Sequence, residues 1–277
     1  MEVPPILNEL SETSLESSMR RRAEIPPAVL IERTERWRHR DGCFADALTA
    51  PGLSVIAEYK QCSPKEGAIR EVAPEEIARL YEPAAAISVL TEEHKFGGSL
   101  ENLAALRELT DRPLLRKDFI TDPYQLLEAK AAGADAALLI ASRLDVEELR
   151  DLREYAEALG LDALIEVHDR DDLERAVRAE AKIIGINNRD LRAEGLPTNI
   201  ATTGTLLDEV PDGVTIVTES GFGFDANSRL KLRKYNARGV DAVLIGTELM
   251  RAPDPTAAIR MLKGLGTSRS SNRLGFR

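Results

Sequence analysis

Eight short apolar runs alternate with helical patterns over most of the chain, and this alternation restricts the possible folds more than any other feature. The runs are rich in Val, Ile, Leu and Ala and lack polar alternation, which is typical of parallel strands buried on both faces. Eight such units over roughly 220 residues favour an α/β fold of the (β/α)8 TIM barrel type over an open doubly wound sheet. The predicted strands are 54–58, 85–90, 114–117, 136–140, 163–167, 183–187, 215–219 and 242–245, and the predicted helices are 74–81, 100–108, 124–132, 146–159, 171–180, 203–209, 226–237 and 256–262.

The two ends of the chain lie outside this alternation. Helical spacing over 6–22 and 28–40 predicts an N-terminal helical extension, residues 1–50, which we expect to lie near the mouth of the barrel. The barrel is predicted to span 51–264 as one catalytic domain. The last segment, 265–277, is rich in Gly, Ser and Arg, and we expect a disordered tail there.

Composition restricts the classes of partner that the protein can bind and the cellular compartment in which we expect it. The net charge of −10 disfavours a nucleic-acid partner, because such proteins usually present a basic face. No apolar run approaches the roughly 18 residues needed to span a membrane, and the first residues lack the apolar centre of a signal peptide. The spacing of the two cysteines, Cys43 and Cys62, matches no metal motif and indicates reduced thiols in a cytoplasmic protein.

Charged and amide side chains follow the predicted strands at the end where barrels bind ligands. The third strand leads directly into Lys117, and the fifth ends in Glu166. Because side chains alternate along a strand, Glu58 and Lys60 of the first strand share the face that points into the barrel. A structural ion pair explains one such residue but not five strands that all end this way, so we predict an active site. The sixth and seventh strands add Asn187, Arg189 and Glu219.

Two glycine-containing loops follow the seventh and eighth predicted strands. The first loop reads Ser220-Gly221-Phe222-Gly223, and the second begins with Gly246-Thr247. Alone, the first loop is as typical of an ordinary turn as of a binding site. In barrels, however, the loops after these two strands often bind phosphate through backbone N–H groups. The paired location therefore predicts a phosphate site.

Two histidines lie near these residues without fitting a catalytic pattern. His94 is in a polar loop, and His168 follows Glu166 by two residues on the same face. Neither belongs to a triad or has the spacing of metal ligands. We interpret both as non-catalytic and expect no metal. Phe96 lies in a glycine-flanked loop, where it either packs within the loop or forms an apolar wall for an aromatic substrate.

The order of these segments resembles the indole-3-glycerol phosphate synthase family from about residue 44 to residue 262. The resemblance implies a carboxy-lyase (a decarboxylating lyase) of tryptophan biosynthesis that needs no cofactor and no metal. Its substrate would be 1-(2-carboxyphenylamino)-1-deoxyribulose 5-phosphate, and its products indole-3-glycerol phosphate, CO2 and water. The matching segments are 55–60 with Ser63-Pro64, 86–91, 115–119, 164–168, 185–191, 219–221 and 244–246.

The resemblance also implies a role for each site residue. Lys117 would protonate the substrate carbonyl as general acid. Glu166 and Glu58 would serve the later proton transfers, and Lys60 would either hold the substrate carboxylate or act as an acid in the dehydration. The remaining implied roles are positioning by Asn187, Arg189 and Glu219, phosphate binding by Ser63, Ser220, Gly221, Gly246 and Thr247, and an anthranilate pocket lined by Phe96, Phe119, Leu138, Leu191 and Leu244.

The chain departs from the family pattern outside its catalytic set. Lys65-Glu66 replaces small polar residues and adds a negative charge near the phosphate loop. The segment 192–202 diverges, and 223–238 is longer by a couple of residues. Thr247 stands where serine is common and keeps the hydroxyl group.

Two other functions suit a barrel of this kind. A phosphoribosyl isomerase uses a carboxylate or thiol acid–base pair, which does not explain lysines on both the first and the third strand. A catalytically silent scaffold would have no use for Lys117, Glu58 and Glu166. For the partners we expect a phosphorylated small-molecule substrate, no nucleic acid and no membrane. We also expect a monomer, with a weak homodimer as the alternative.

Overall fold

Eight parallel strands close into a barrel in the computed structural model, which describes residues 5–40, 42–64, 66–193 and 195–266. The circle closes where the first barrel strand pairs with the last, with Ser54 opposite Ala242 and Ala57 opposite Ile245. Helices connect consecutive strands on the outside of the barrel. The predicted (β/α)8 barrel with an N-terminal helical extension is therefore confirmed.

The elements are numbered in chain order. The strands are β1 (Ser54–Tyr59), β2 (Cys62–Ser63), β3 (Gly67–Ala68), β4 (Ala86–Leu90), β5 (Leu114–Lys117), β6 (Ala136–Ile140), β7 (Asp162–Val167), β8 (Ile183–Asn187), β9 (Thr215–Glu219) and β10 (Ala242–Ile245). Strands β2 and β3 form a small antiparallel hairpin outside the barrel. The helices are α1 (Pro5–Glu24), α2 (Pro27–Thr34), α3 (Cys43–Leu48), α4 (Pro74–Leu80), α5 (Leu100–Leu109), α6 (Pro123–Ala131), α7 (Val146–Ala158), α8 (Arg170–Arg178), α9 (Ala201–Leu206), α10 (Ala226–Arg238), α11 (Thr247–Arg251) and α12 (Pro255–Lys263), with 3₁₀ turns at Glu35–Arg40 and Leu207–Glu209.

The predicted strands all occur, each within one residue of its expected bounds. The sequence interpretation missed the β2–β3 hairpin and the two short helices α3 and α11. These elements have six residues or fewer, so they are too short to show a period.

Two hydrophobic clusters form on the two sides of the barrel wall. Alternate residues of a buried strand point to opposite faces. Ile56, Leu115 and Leu164 therefore fill the barrel interior, whereas Val55 and Ile165 pack against the outer helices. The interior cluster supports the polar strand ends above it and positions them around one cavity.

The N-terminal extension contacts both ends of the barrel. On α1, the Ser14 hydroxyl donates to Asp118 Oδ1 at 2.7 Å, which holds this helix beside the carboxyl end of β5. Helix α3 lies at the opposite end, where the Ala45 amide donates to Asp162 Oδ2 at 2.9 Å and Phe44 extends the interior cluster. The expectation that the extension lies near the mouth thus holds for α1 but not for α3.

The predicted tail begins within the described part of the chain and continues beyond it. Leu265 is buried against the outer cluster. Residues 267–277, which make up most of the predicted tail, lie outside the described residues. Among the described helices, none combines the length and the apolar character that crossing a bilayer requires.

Candidate active site

The carboxyl ends of the barrel strands enclose a cavity of about 560 Å³. This volume lies in the range of small-molecule sites. All but one of the predicted site residues line it. They are Glu58, Lys60, Phe96, Lys117, Phe119, Leu138, Glu166, Asn187, Arg189, Leu191, Glu219, Ser220, Gly221, Leu244, Gly246 and Thr247.

Ser63 is the predicted site residue that does not line the cavity. It is buried in the β2–β3 hairpin, where its Oγ accepts a hydrogen bond from the Glu66 amide at 3.2 Å. The Glu66 carboxylate lies 2.8 Å from Arg251 Nη2 on α11. This ion pair offsets the negative charge that Glu66 adds at the cavity rim. Lys65 lies outside the described residues.

Lys117, at the end of β5, reaches across the mouth of the barrel to two strands, β7 and β9, that are separated from each other by β8. Its Nζ is 3.0 Å from Glu166 Oε2 at the end of β7 and 3.2 Å from Glu219 Oε2 at the end of β9. The Lys117 side chain is 15% exposed, whereas both carboxylates are almost fully buried. The ammonium is therefore the part of this cluster that a ligand in the cavity meets.

The charge on Lys117 is stabilised by its neighbours. Burial alone would lower the pKa of the amine, but attraction from Glu166, Glu219 and Glu58 outweighs it and raises the pKa of Lys117. The side chain is therefore an ammonium at neutral pH. A preorganised cation of this kind stabilises negative charge that develops on a substrate oxygen.

The two carboxyl groups that flank Lys117 differ in their pKa values. Burial, together with the negative charge of Glu166, raises the pKa of Glu219 to about 7 despite the opposing effect of Lys117. In Glu166 burial is outweighed by Lys117 and His168, which lower its pKa. A carboxyl group that holds a proton near neutral pH thus lies beside one that stays ionised, an arrangement that separates acid and base roles.

A second ion pair lies at the end of β1. Lys60 Nζ is 2.7 Å from Glu58 Oε1, and both side chains are buried. Burial raises the pKa of Glu58, but the charges of Lys60 and Lys117 outweigh this effect and lower it. The site therefore holds two ammonium groups, each directed at a carboxylate.

Two glycines provide the space for these carboxylates. A Cβ atom at Gly185 in β8 would lie 2.2 Å from Glu219 Oε1, and one at Gly246 would lie 2.2 Å from Glu58 Oε1. Gly185 was missed by the sequence interpretation. A glycine inside a buried strand was the available signal, because such a residue often marks the close approach of another group.

The turn after β9 has an uncommon backbone conformation. Ser220 has φ 63° and Gly221 φ 83°, both in the left-handed region. Non-glycine residues in this region are uncommon and concentrate at functional sites. Asn188, also missed from the sequence, fixes the turn, because its Nδ2 donates to the carbonyl oxygens of Glu219 at 2.8 Å and Ser220 at 3.2 Å.

Apolar side chains form another wall of the cavity. The rings of Phe96 and Phe119 have centroids 6.1 Å apart and are tilted by 38°. Leu138, Leu191 and Leu244 also line the cavity. An aromatic ring fits against a surface of this composition.

Comparisons of the sequence with known proteins agree on one family. The family model described as indole-3-glycerol phosphate synthase matches residues 12–262. The chain is similar to the indole-3-glycerol phosphate synthase of Salinibacter ruber, with 41% identity over 98% of this chain and 99% of the relative. It is also similar to the enzyme of the same name from Campylobacter hominis, with 50% identity over 77% of this chain and 80% of that one. Among solved structures, 3-hexulose-6-phosphate synthase from Salmonella typhimurium matches with a TM-score of 0.60 at 18% identity over 77% of this chain and 98% of that one, which shows the shared fold.

Proposed function

Since the chain belongs to the indole-3-glycerol phosphate synthase family, we propose that its two lysines and three glutamates at the strand ends perform the ring closure of this family, with Lys117 as general acid. The family's enzymes are carboxy-lyases of tryptophan biosynthesis. The reaction converts 1-(2-carboxyphenylamino)-1-deoxyribulose 5-phosphate into indole-3-glycerol phosphate, CO2 and water. The observation that carries the assignment is the charged Lys117, held between Glu166 and Glu219 and open to the cavity.

The cavity suits each part of this substrate. The anthranilate ring lies against Phe96 and Phe119. The phosphate binds at the turns that contain Gly221 and Gly246, where the chain can approach it closely. Arg189 also lines the cavity and supplies a positive charge for the anionic ligand.

Ring closure begins at the carbonyl group of the substrate. The ring carbon that bears the carboxylate attacks the carbonyl carbon, and the carbonyl oxygen becomes an alkoxide. Lys117 stabilises this oxygen and transfers a proton to it. The bond to the carboxylate then breaks, CO2 leaves, and its electron pair restores the aromatic ring.

Dehydration uses the other groups of the cluster. Lys60 protonates the leaving hydroxyl group, and Glu166 accepts a proton from the adjacent carbon. When Lys117 has given up its proton, Glu166 loses the attraction of the nearest cation, and its basicity increases. Two protons are delivered and one is removed, so the reaction consumes one proton in net terms.

The first experiment compares turnover by the wild type, Lys117→Ala and Lys182→Ala, followed by indole fluorescence. Lys182 is a control because it is 72% exposed and precedes β8 at the opposite end of the barrel. Lys117→Ala should be at least about 10²-fold slower, the lower end of what a positioned general acid contributes. No turnover by folded wild type would refute the function, and near-normal turnover by Lys117→Ala would refute only its role.

We further propose that the chain works as a monomer in the cytoplasm. Cys43 and Cys62 support the cytoplasmic location, because they are not paired with each other and so suit a reducing compartment. Sedimentation equilibrium should give the mass of a single 30.5 kDa chain at micromolar concentration. A concentration-dependent rise in mass would instead indicate the weak homodimer.

A further inference from the structure

A chain of buried charged groups leads from the active site to helix α8. His168 lies just beyond the end of β7, and its imidazole is between two carboxylates. Its Nε2 is 3.2 Å from Glu166 Oε1, and its Nδ1 is 3.2 Å from Asp172 Oδ2. All three side chains are at most 1% exposed.

The positions of the carboxylates define the protonation state of the ring. A neutral imidazole has one N–H group and one lone pair, so one of the two carboxylates would face a lone pair. The imidazolium form has an N–H group for each. Burial lowers the pKa of His168, but the hydrogen bond with Asp172 and the close negative charge of Glu166 outweigh burial and raise it to about 9.

Asp172 holds His168 through the backbone as well as through the ring. Its Oδ2 accepts a hydrogen bond from the His168 backbone amide at 3.0 Å. Its Oδ1 pairs with Arg175 one turn along α8 at 2.5 Å. The charged groups near His168 come from several elements: Glu166 from β7, Asp172 and Arg175 from α8, Asp190 and Arg192 from the segment after β8, and Lys117 from β5 through Glu166. The segment after β6 contributes a neutral group, the Ser142 hydroxyl, 3.5 Å from Nδ1.

The two oxygens of Glu166 have different partners. Oε2 faces Lys117 at 3.0 Å, and Oε1 faces His168 at 3.2 Å. With Oε1 held by an imidazolium, the carboxylate keeps Oε2 directed at Lys117 and stays ionised. We propose that His168, oriented by Asp172, is a positioning residue that fixes the ionised Glu166 for the reaction. This inference rests on the proposed function, because it assigns Glu166 a part in that chemistry.

The main test replaces the charge and keeps a donor. His168→Gln retains an N–H donor of similar reach but cannot become a cation. Its kcat should fall about 10- to 100-fold with KM little changed, the range known for residues that orient the ligands of metal sites and expected here for one that orients Glu166. The acid limb of its kcat/KM profile should move to higher pH by about one unit or more, because Glu166 loses a nearby cation. His94→Gln is the matched control and should leave kcat and the pH profile unchanged.

A double-mutant cycle separates positioning from a merely structural contribution. Asp172→Asn should lower kcat in the wild-type background, because the ring of His168 loses its orienting carboxylate. In the His168→Gln background it should have little further effect, since Asp172 acts through His168. Equal, additive losses in both backgrounds would overturn the proposal.

Nuclear magnetic resonance gives a readout that does not depend on activity. The chain has three histidines, so the imidazole signals of labelled enzyme can be assigned by comparing the two glutamine variants. The His168 ring should be an imidazolium at pH 7 in the wild type. A neutral ring, or His168→Gln with unchanged kcat and pH profile, would overturn the proposal. Absence of turnover by wild type would instead refute the proposed function. If His168→Gln does not fold, comparison with His39→Gln and His94→Gln assigns the remaining imidazole signal to His168, so the spectrum still tests the proposal.

Discussion

Replacing Gly185 by alanine should reduce activity strongly while leaving the fold intact. Gly185 lies in β8, two residues before Asn187, and its missing side chain leaves space inside the barrel. An added Cβ would lie 2.2 Å from Glu219 Oε1 and 3.3 Å from Leu164 Cδ1. The first of these distances is too short for two non-bonded atoms, so the Glu219 side chain must move.

The size of the effect follows from how far Glu219 must move. Ordinary contact requires a separation of about 3.5 Å, so the carboxylate must shift by more than about 1 Å. Glu219 lies only 3.2 Å from Lys117, and the shift would break that contact. A misplacement of about 1 Å in an active site can cost about 10²-fold in rate.

The stability of the variant should change much less. Gly185 is not among the glycines with positive φ, so alanine can adopt its backbone conformation. Overpacking costs about 1–3 kcal/mol, and the lower entropy of the unfolded chain offsets about 0.4–1 kcal/mol of it. Loss of activity without loss of fold is therefore the expected outcome.

The assay combines steady-state kinetics with urea unfolding of Gly185→Ala and Gly264→Ala. Gly264 has φ −68° at the end of α12, away from the cavity, and its alanine variant should have normal kcat. If Gly185→Ala had wild-type kcat, Glu219 would not need its position beside Lys117. A kcat loss that scaled with unfolding would equally refute the reasoning, because it would indicate damage to the barrel.

Two further predictions concern buried charges. Arg116→Met should lower the free energy of unfolding by about 3–5 kcal/mol in urea titrations, because Asp118 and Glu128 would lose a buried ion-pair partner. The control Arg112→Met removes an exposed ion pair and should cost less than about 1 kcal/mol. Equal losses in the two variants would contradict this prediction. The pKa of Glu219 is raised from 4.5 to about 7, so the native state binds the proton more tightly than the unfolded state. The stability advantage of wild type over Glu219→Gln, measured as the difference in their free energies of unfolding, should therefore decrease between pH 4.5 and about 7 and level off above that pH. An increase of this difference over the same range would refute the raised pKa.

The barrel and the polar strand ends follow from local sequence patterns. The strand β5 illustrates this, because the apolar pair Leu114-Leu115 predicts a buried strand and the alternation then directs Lys117 into the barrel. The same reasoning gives Glu58 and Lys60 on one face of the chain. Such patterns depend only on the chain's own period, so one sequence is enough to interpret them.

Contacts between distant segments could not be predicted in this way. Arg116 is next to Lys117 in the chain but points to the other side of the barrel wall, where it is fully buried and bonded to Asp118 and Glu128. The space that Gly185 leaves for Glu219 joins two strands through their register. The contact of His168 with Asp172 depends on where α8 begins. Each requires the three-dimensional packing, which the sequence pattern does not specify.

Three cations in and beside the active site already have carboxylate partners before a substrate arrives. Lys60 pairs with Glu58 at 2.7 Å, Lys117 lies 3.2 Å from Glu219, and His168 lies 3.2 Å from Glu166. A substrate that carries a phosphate and a carboxylate adds negative charge beside these ion pairs, and buried charge without a partner is costly. The carboxyl group that can respond is Glu219, whose pKa of about 7 lets it take up a proton near neutral pH. Its protonation would release Lys117 toward the substrate, so the high pKa of Glu219 and the ionised state of Glu166 are complementary requirements of the same site.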